Sequence, residues 1–332
     1  MKTLPAAFGI DHLDPQLTQE ILEAMQEVEK RLDTYLTQKD LFTSTMSKHL
    51  MLAGGKRIRP FLTLLSAQFG PEGINSKVID AAVVTELTHL ATLYHDDVMD
   101  NADLRRGTAT AHALWGNNAA ILTGDLLLAK ASLIISALGG EALGIQAQTF
   151  ERLCLGQLHE SVAPPSDEDP YEYHLQVILD KTGSLIATAG EYGAMFAGAN
   201  RKTRGILRAY GEKVGTAFQL VDDIIDVTSD SDQSGKVRGT DLKEGIPTLP
   251  VLLLEKKGNP AELKVIKAAE NGTDEQVQAA IALLSESEET QQAWNIARKY
   301  AQEAKDLLDP LPDNSAKKAL QDFAMAMVER DK

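Results

Sequence analysis

Apolar residues recur at helical spacing along nearly the whole chain, from Leu17 to Val328, whereas the alternating pattern of a β-strand is scarce. Aromatic residues make up only 5% of the sequence, and runs of β-branched residues are few. Together these features predict an all-α protein. The predicted helices cover residues 15–37, 40–52, 57–69, 76–100, 108–138, 140–162, 171–197, 201–228, 247–256, 260–270, 274–285, 289–308 and 314–330.

Glycine and proline punctuate the helical pattern but mark no obvious linker. The breaks fall at 54–55, 70–71 and 139–140, in the acidic loop 164–170, and across 229–245. Glycine and proline at such points end helices. None of the breaks has the composition of an interdomain linker, so we expect one domain over residues 1–332, with 1–14 as a loosely ordered N-terminal arm.

Two predicted helices carry very little charge. The stretch 78–93 has three ionisable side chains and the stretch 119–138 has two. A helix that is apolar nearly all round belongs in the middle of a bundle. We therefore expect both stretches to be central, and the charged segments after about residue 255 to form an amphipathic periphery.

Composition narrows the class of protein. With 33 Lys and Arg against 48 Asp and Glu, the formal charge of −15 argues against nucleic acid and anionic membranes as partners. The single cysteine, Cys154, excludes an intramolecular disulfide and favours a reducing compartment; its apolar neighbours predict a buried position. We find neither a signal-peptide pattern nor an unbroken apolar run of about 18 residues. These features predict a cytoplasmic protein without a transmembrane segment.

Candidate chemistry begins with two aspartate clusters of the form Asp-Asp-x-x-Asp, 126 residues apart. Ionised carboxylates inside apolar helices are costly unless something positive meets them. Since residues three and four apart share a helix face, we expect three carboxylates of each cluster at one spot. Hard cations such as Mg²⁺ take oxygen ligands together with substrate phosphates. The first motif comprises Asp96, Asp97 and Asp100, and the second comprises Asp222, Asp223 and Asp226.

For one cluster alone, a solvated acidic face would be an equally good explanation. The repetition of the motif and its apolar neighbours favour metal binding instead. We therefore expect Mg²⁺ to clamp a diphosphate from both sides.

Basic residues near the first motif suggest a second phosphate site. In GGKRIRP, Lys56, Arg57 and Arg59 follow two glycines at a helix start, a position that favours anions. In RRG, Arg105 and Arg106 follow the first motif, and guanidinium groups match phosphate bidentately. The alternative for either group is a surface basic patch or an internal ion pair with the same aspartates.

Six segments together resemble one family over nearly the whole chain. The segments GGKRIRP, HDDVMDNADLRRG, GDLLLAKA, KTGSLI, FQLVDDIIDVTSD and GKVRGTDLKEGIPTLP stand in the order and spacing of the trans-isoprenyl diphosphate synthases, the polyprenyl synthetases. The resemblance implies an isoprenoid-synthase-type bundle of about ten or more helices around a central cavity, usually as a homodimer. It also implies Mg²⁺-dependent head-to-tail condensation of isopentenyl diphosphate with an allylic diphosphate.

The resemblance also assigns roles position by position. It implies that Asp96, Asp100 and Asp222 bind metal with support from Asp97, Asp223 and Asp226, and that up to three Mg²⁺ ions bind with the substrate diphosphate. The isopentenyl diphosphate site would comprise Lys56, Arg59, His89 and Arg106. The allylic diphosphate site would comprise Arg105, Lys181, Thr182, Gln219 and Lys236, of which Lys181, Gln219 and Lys236 assist catalysis. Ile246 stands where the family often has another lysine. From the residues alone, His89 and Gln219 would be satisfied polar groups of the core.

These roles imply a dissociative mechanism. Mg²⁺, Lys181 and Lys236 would neutralise the departing diphosphate, while the isopentenyl diphosphate site orients the attacking double bond. The released diphosphate can take the final proton, so no side chain is assigned to that step.

The residues before the first motif bear on product length. Thr92 and Ala91 precede Asp96 by four and five positions, and Thr88 lies one turn further back. All three are small, whereas relatives that make short products often place an aromatic floor here. We therefore expect a deep channel and a product of about C35 to C50, as used for quinone side chains.

Several alternatives stay open at this stage. A geranylgeranyl-length product is the main one, and a transient membrane contact during product release is compatible with the sequence. A terpene cyclase would not need GGKRIRP, and a non-catalytic synthase subunit would have lost one aspartate cluster.

Overall fold

The computed structural model describes residues 14–228 and 238–329, and within them the all-α prediction is confirmed. The α-helices are α1 Pro15–Leu36, α2 Leu41–Leu52, α3 Ile58–Ala67, α4 Ser76–Met99, α5 Ala111–Trp115, α6 Asn117–Leu138, α7 Gly140–Glu160, α8 Pro170–Ile178, α9 Ser184–Phe196, α10 Arg201–Thr228, α11 Thr240–Glu244, α12 Leu249–Lys257, α13 Pro260–Ala269, α14 Asp274–Ser285, α15 Glu288–Leu307 and α16 Ser315–Ala326. A π-helical turn, Leu179–Gly183, joins α8 to α9. Strands β1 Leu104–Arg105 and β2 Thr108–Ala109 form an antiparallel hairpin.

The structure departs from the predicted boundaries mainly between α4 and α6. Residues 108–138 were predicted as one helix, but Gly116, with φ of +84°, separates α5 from α6. The hairpin before α5 was not predicted because two-residue strands are too short to show an alternating pattern. Its turn residues, Arg106 and Gly107, both have positive φ (54° and 74°), as two-residue hairpin turns require. Helix α11 is also new, and lies in the predicted loop 229–245.

Polar caps begin the helices that carry or support the first aspartate motif. The Asn75 side chain accepts from the backbone N–H groups of Lys77 and Val78 and so begins α4. The Asp14 side chain accepts from Gln16 and Leu17 in the same way and begins α1. Such caps satisfy backbone donors that the first turn leaves unpaired. Asp14 is thus part of a helix start, and the remainder of the predicted arm, residues 1–13, lies outside the described residues.

The chain divides into two compact units. Unit 1 comprises Met1–Phe150, Leu185–Gly211 and Leu308–Leu320, and unit 2 comprises Glu151–Ser184, Glu212–Leu307 and Gln321–Lys332. Unit 1 contains the first aspartate motif and unit 2 contains the second. The single-domain interpretation stays a prediction.

Helix α4 is the centre of unit 1, as its lack of charge predicted. It packs against α1, α3 and α6, and most of its residues between Val78 and Tyr94 are fully buried. The Tyr94 hydroxyl donates to the carbonyl of Met46 at 2.5 Å, so the one polar group of this large side chain is satisfied. The buried aromatic and aliphatic side chains fix the position of the motif at the end of α4.

Helix α6 does not lie in the middle of the bundle, and the prediction for residues 119–138 is wrong in this respect. Leu122 and Leu133 are each 67% exposed, and Ile121 is 40% exposed. The helix is long and apolar enough to cross a membrane by length and composition, with a mean hydropathy of 1.8 over 18 residues, a third of them buried. The helix still contains no unbroken apolar run of 18 residues, because Asp125 and Lys130 interrupt it, and the absence of a transmembrane segment stays a prediction. Cys154 on α7, expected in the core, is exposed as well.

The described residues of unit 2 form two hydrophobic clusters. The first surrounds the second aspartate motif and contains Ile178, Leu220, Val221, Ile224, Leu249, Ala293, Ala297, Ala301 and Val328. Alanines at every fourth position of α15 let α12 pack closely against it. The second cluster packs residues of the five helices α10, α11, α12, α13 and α14 against one another. It contains Val227, Leu242, Val251, Leu254, Ile266, Val277, Ile281 and Leu284. The apolar face of α10 therefore fixes the orientation of the motif.

Candidate active site

The first motif lies at the end of α4, and its middle aspartate is engaged by the protein itself. Asp97 is fully buried and accepts a hydrogen bond from Nε of Arg105 on β1. The hairpin brings Arg105 there because the chain turns back after α4, where the N–H of Ala102 donates to the Asp97 carbonyl at 3.0 Å. Burial raises the pKa of Asp97, and the ion pair with Arg105 opposes that rise. Asp96 is half-buried, and Asp100, the C-cap of α4, is exposed.

In the second motif, on α10, the middle aspartate is likewise buried and held by protein contacts. Asp223 is only 5% exposed. Its carboxylate lies 2.9 Å from Nε2 of His174 and accepts from the N–H of Leu249 at 3.3 Å and from Gln219 Nε2 at 3.4 Å. Asp222 and Asp226 are half-buried. In each motif, therefore, only the first and last aspartates, four residues apart, are less than fully buried.

This arrangement corrects the expectation that three carboxylates of each motif meet at one spot. Within residues 14–228 and 238–329, no three His, Cys, Asp or Glu side chains are grouped so that they could hold a metal. Mg²⁺ is commonly held by one or two carboxylates plus phosphate oxygens and water. The first and last aspartates of each motif therefore match, taken motif by motif, the one or two carboxylates that Mg²⁺ commonly takes.

Arg57 anchors the GGKRIRP loop inside unit 1. Its Nε donates to Glu29 at 2.6 Å, its Nη1 donates to Glu86 at 3.1 Å, and its Nη2 donates to the carbonyl of Met51 at 3.0 Å. Arg57 also has a left-handed φ of +55°, which is unfavourable for a side chain of this size. Such strain persists only where surrounding contacts compensate it. Lys56, the preceding residue, is exposed.

Arg106 joins the hairpin to the same loop. Its Nη1 donates to the carbonyl of Gly54 and lies 3.4 Å from that of Leu50. A Cβ atom on Gly55 would lie only 2.8 Å from Nη1, so the second glycine of the motif makes room for this guanidinium. Burial lowers the pKa of Arg106, and Glu86 acts in the opposite direction.

Arg59 and His89 complete a cluster of basic side chains in unit 1. Nε of Arg59 is buried without a hydrogen-bond partner, and burial lowers the pKa of Arg59 to about 10, so it stays charged at neutral pH. The pKa of His89 is well below its usual value because of burial and the neighbouring charges of Arg59 and Arg106. His89 is therefore neutral near pH 7 and can contribute a hydrogen bond but no charge. The unpaired N–H donor of Arg59 lies among positively charged side chains, an arrangement that suits the binding of an anion.

Lys181 and Thr182 lie in the π-helical turn of unit 2, a feature often found at functional sites. The Thr182 hydroxyl donates to Gln219 Oε1 at 3.1 Å, and the same amide donates to Asp223, so the three side chains form a chain of hydrogen bonds. Lys181 forms an ion pair with Glu160 at the end of α7. A Cβ atom on Gly156 would lie 2.6 Å from the Lys181 nitrogen, so this glycine permits the close approach. Lys236 lies outside the described residues.

The three predicted channel residues of α4 differ in accessibility. Ala91 and Thr88 are fully buried, whereas Thr92 is half-buried. The Thr88 hydroxyl accepts a hydrogen bond from Gln146 Nε2 on α7 at 2.8 Å.

Sequence reasoning missed several residues that position the site. Glu86 holds Arg57, His174 holds Asp223, and Glu160 pairs with Lys181. A signal was available only for Glu86, which stands three residues before His89 in a helix almost free of charge and so shares its face. His174 and Glu160 reach their partners through the tertiary fold, and no local pattern marks them.

Comparisons with known proteins identify the family. The family model described as Polyprenyl synthetase matches residues 41–284. The nonaprenyl diphosphate synthase of Mycobacterium tuberculosis is 44% identical over 314 residues, which is 94% of each chain.

Two crystal structures extend the comparison. That of geranylgeranyl pyrophosphate synthase from Corynebacterium glutamicum, complexed with calcium and isoprenyl diphosphate, is 44% identical, with a TM-score of 0.86 over 96% of this chain and 99% of that one. That of a decaprenyl diphosphate synthase from Rhodobacter capsulatus is 31% identical, with a TM-score of 0.87 over 96% and 99% of the two chains.

Proposed function

Since this chain belongs to the polyprenyl synthetase family and is a prenyltransferase, we propose that it condenses isopentenyl diphosphate head-to-tail with an allylic diphosphate to give an all-trans polyprenyl diphosphate of about C35 to C50. A product of this length would serve as a quinone side chain. One observation carries the assignment of roles. Each aspartate motif uses its middle carboxylate for a protein contact and keeps its first and last aspartates less buried.

We assign the metal to those first and last aspartates. Asp96 and Asp100, and likewise Asp222 and Asp226, would hold Mg²⁺, up to three ions in all, together with the allylic diphosphate. Bound Mg²⁺ supplies charge that neutralises the departing diphosphate. The related C. glutamicum enzyme was crystallised with calcium and isoprenyl diphosphate, which supports a divalent ion bound with substrate. Asp97 and Asp223 act as supports that fix their motifs.

The allylic diphosphate would be held in addition by Arg105, Lys181, Thr182, Gln219 and Lys236. Lys181 is paired with Glu160, so a bound diphosphate would compete for its ammonium group. Gln219 is fixed by Thr182 and Asp223, which orients its amide in advance. Pre-oriented donors of this kind stabilise charge that develops in a transition state.

Isopentenyl diphosphate would bind at the basic cluster of unit 1, formed by Lys56, Arg59, His89 and Arg106. The unpaired Nε of Arg59 and the neutral ring of His89 are the groups that support this assignment. Arg57, although part of the same motif, is committed to Glu29 and Glu86. Its role is to hold the loop, so that the binding groups are positioned before substrate arrives.

Product length is argued from the small residues of α4. Ala91 and Thr92 are small at positions where a large side chain would close a channel, and this favours a long product. Relatives of equal identity include a nonaprenyl synthase and a geranylgeranyl synthase, so a geranylgeranyl-length product is the alternative within the family. Replacing Ala91 with Phe should shorten the product, and an unchanged product distribution would contradict this position for the floor.

We further propose a cytoplasmic homodimer that uses the exposed stripe of α6, defined by Ile121, Leu122 and Leu133. A second copy fits this surface better than a lipid bilayer does. The carboxylate of Asp125 lies on the exposed side of the same helix, with its side chain 58% exposed, and a charge inside a bilayer is costly. Any membrane contact would then be transient and limited to product release.

One assay tests the proposed function. The purified protein is incubated with Mg²⁺, labelled isopentenyl diphosphate and each allylic primer, and the dephosphorylated products are sized. We expect incorporation into long chains, and no incorporation with any primer would overturn the enzyme assignment. Hydrocarbon products without chain extension would instead favour a terpene cyclase.

Variants of the two motifs test the metal assignment. Asp96→Ala and Asp222→Ala should each abolish incorporation while the thermal midpoint of unfolding stays close to that of the unaltered protein. Asp97→Ala, in contrast, should lower the thermal midpoint, because it leaves Arg105 without its buried partner. Activity that survives either of the first two changes would refute the binding of metal by both motifs together.

A further inference from the structure

Arg152 on α7 connects two other elements of unit 2. Its Nε donates to the Asp180 carboxylate at 2.6 Å, and its Nη1 donates to the Glu212 carboxylate on α10 at 2.7 Å. Its Nη2 donates to the carbonyl of Leu179 at 3.4 Å. The planar fork of one guanidinium group therefore contacts the π-helical turn twice and α10 once.

Asp180, which belongs to the π-helical turn, is held at both of its carboxylate oxygens. It is only 8% exposed, and its second oxygen accepts from Gln176 Nε2 at 2.7 Å. The Asp180 carbonyl accepts from the Ser184 hydroxyl at 2.6 Å. A buried carboxylate is costly unless a positive group meets it, so Arg152 stabilises an aspartate at this position. These contacts fix a turn of a kind that is rare in proteins.

The same face of α7 continues along the π-helical turn. Gly156 and Glu160 follow Arg152 at intervals of four residues, so the three lie on one face. A Cβ atom on Gly156 would lie 2.6 Å from the backbone nitrogen of Lys181, and Glu160 pairs with the Lys181 ammonium group. Helix α7 therefore contacts both the backbone and the side chain of Lys181, and Arg152 fixes the residue before it.

The contact with Glu212 determines where the turn lies along α10. A Cβ atom on Gly183, at the end of the turn, would lie 3.4 Å from the Glu212 carbonyl oxygen, so the turn packs on the α10 backbone there. Gln219 follows Glu212 by seven residues, about two helical turns, on the same face. The Thr182 hydroxyl donates to Gln219 at 3.1 Å, and a shift of the turn along α10 would break this hydrogen bond.

We propose that Arg152 is a positioning residue for the allylic diphosphate, because it fixes the π-helical turn against α10 and thereby sets where Lys181 and Thr182 lie. This inference rests on the proposed function, which assigns both of those residues to the allylic diphosphate. Arg152 acts through the turn and not on the substrate, since all three of its nitrogen atoms have partners within the protein.

Steady-state kinetics with Mg²⁺, labelled isopentenyl diphosphate and one allylic primer test this inference. Arg152→Met should raise the KM for the allylic diphosphate at least about fivefold and lower kcat at least about tenfold, because the donors are no longer pre-oriented. The KM for isopentenyl diphosphate, which is assigned to groups of unit 1, should change by less than about twofold. A smaller folded fraction alone would lower kcat and leave both KM values unchanged.

Two further variants separate positioning from stability. Arg152→Lys keeps the charge but replaces the fork with a single ammonium group, so it should raise the same KM by a smaller factor. Arg204→Met is the matched control, because Arg204 also bridges two carboxylates in unit 1, those of Glu141 at 2.8 Å and Glu191 at 3.0 Å. It should leave both KM values unchanged even where its thermal midpoint falls.

The outcomes distinguish this inference from the proposed function. If the unaltered protein incorporates no isopentenyl diphosphate, the proposed function fails and the inference fails with it. If the protein is active but Arg152→Met leaves the KM for the allylic diphosphate unchanged, or raises both KM values alike, the inference alone is wrong. Should Arg152→Met fail to fold, as judged by its thermal midpoint, Arg152→Lys decides, and an unchanged KM for the allylic diphosphate in that variant overturns the inference.

Discussion

Neighbouring side chains of the same charge have different tasks in this protein. Asp97 and Asp223 are buried in contacts with Arg105 and His174, while the aspartates beside them are less buried. In GGKRIRP, Arg57 is turned into unit 1 and Lys56 is exposed. A helix or a left-handed turn sends adjacent residues in different directions, so adjacent charges meet different surroundings.

Arg57→Ala should destabilise the protein by about 3 kcal/mol, because it leaves Glu86, which is 2% exposed, without its buried partner. Urea unfolding of the metal-free protein measures this change. Lys56→Ala is the matched control, and at an exposed position it should stay within about 0.5 kcal/mol. Equal effects of the two substitutions would show that Arg57 is not the anchor of the loop.

His89 should make the protein less stable in mild acid. Its folded pKa lies well below the unfolded value, so below about pH 6.5 the unfolded chain binds more protons than the folded one. The free energy of unfolding therefore falls as the pH drops through 6.5, by up to about 1.4 kcal/mol per pH unit from this residue, and is unaffected by it at higher pH.

His89→Gln should remove this part of the pH dependence. Urea unfolding at pH 7.5 and pH 5.5 would give a smaller difference for the variant than for the unaltered protein. A variant with the same difference as the unaltered protein would mean that His89 is charged when folded.

At the scale of elements, glycines decide how closely some helices approach. A Cβ atom on Gly193 of α9 would lie 2.0 Å from the carbonyl oxygen of Thr63 on α3, closer than any real contact. The backbones of these helices pack directly on each other within unit 1. A glycine pattern in the sequence does not show which helix the bare backbone faces.

Gly193→Ala should therefore destabilise the protein by at least about 2 kcal/mol, because a backbone atom cannot move aside as a flexible side chain can. Gly144→Ala on α7 is the control, since nothing lies within 4 Å of the added methyl group. That change should stabilise the protein by roughly 0.5 kcal/mol through the better helix propensity of alanine. Thermal unfolding that gave both variants the same midpoint would contradict this packing.

At the scale of the whole molecule, the apolar stripe of α6 is exposed to solvent when one chain is considered alone, and this exposure calls for an explanation. Its leucines are among the most exposed large apolar side chains of the described residues. Contiguous exposed apolar surface on a protein commonly marks a contact with another chain. The stripe is therefore the surface through which we expect two copies to associate.

Leu122→Asp combined with Leu133→Asp should convert the proposed dimer into a monomer, because two carboxylates would be buried without partners in the interface. Light scattering coupled to size-exclusion chromatography measures the mass. Leu41→Asp, at a position that is 84% exposed on α2, should leave the mass unchanged. A double variant that keeps the mass of the unaltered protein would place the dimer surface elsewhere.

The sequence by itself determined the helical architecture, the boundaries of most helices and the family. Helical periodicity is a local property, and six ordered segments carried the resemblance, so these conclusions needed no coordinates. The structure then confirmed the all-α fold, and the comparisons confirmed the family.

Only the tertiary structure showed which protein groups hold the middle aspartate of each motif, and that α6 is partly exposed. Some of the contacts join residues distant in sequence: Asp223 meets His174, 49 residues away, and Thr88 meets Gln146, 58 residues away. Periodicity shows which face of a helix is apolar, but a contact between distant residues is set by the packing of whole helices, which a local pattern does not contain.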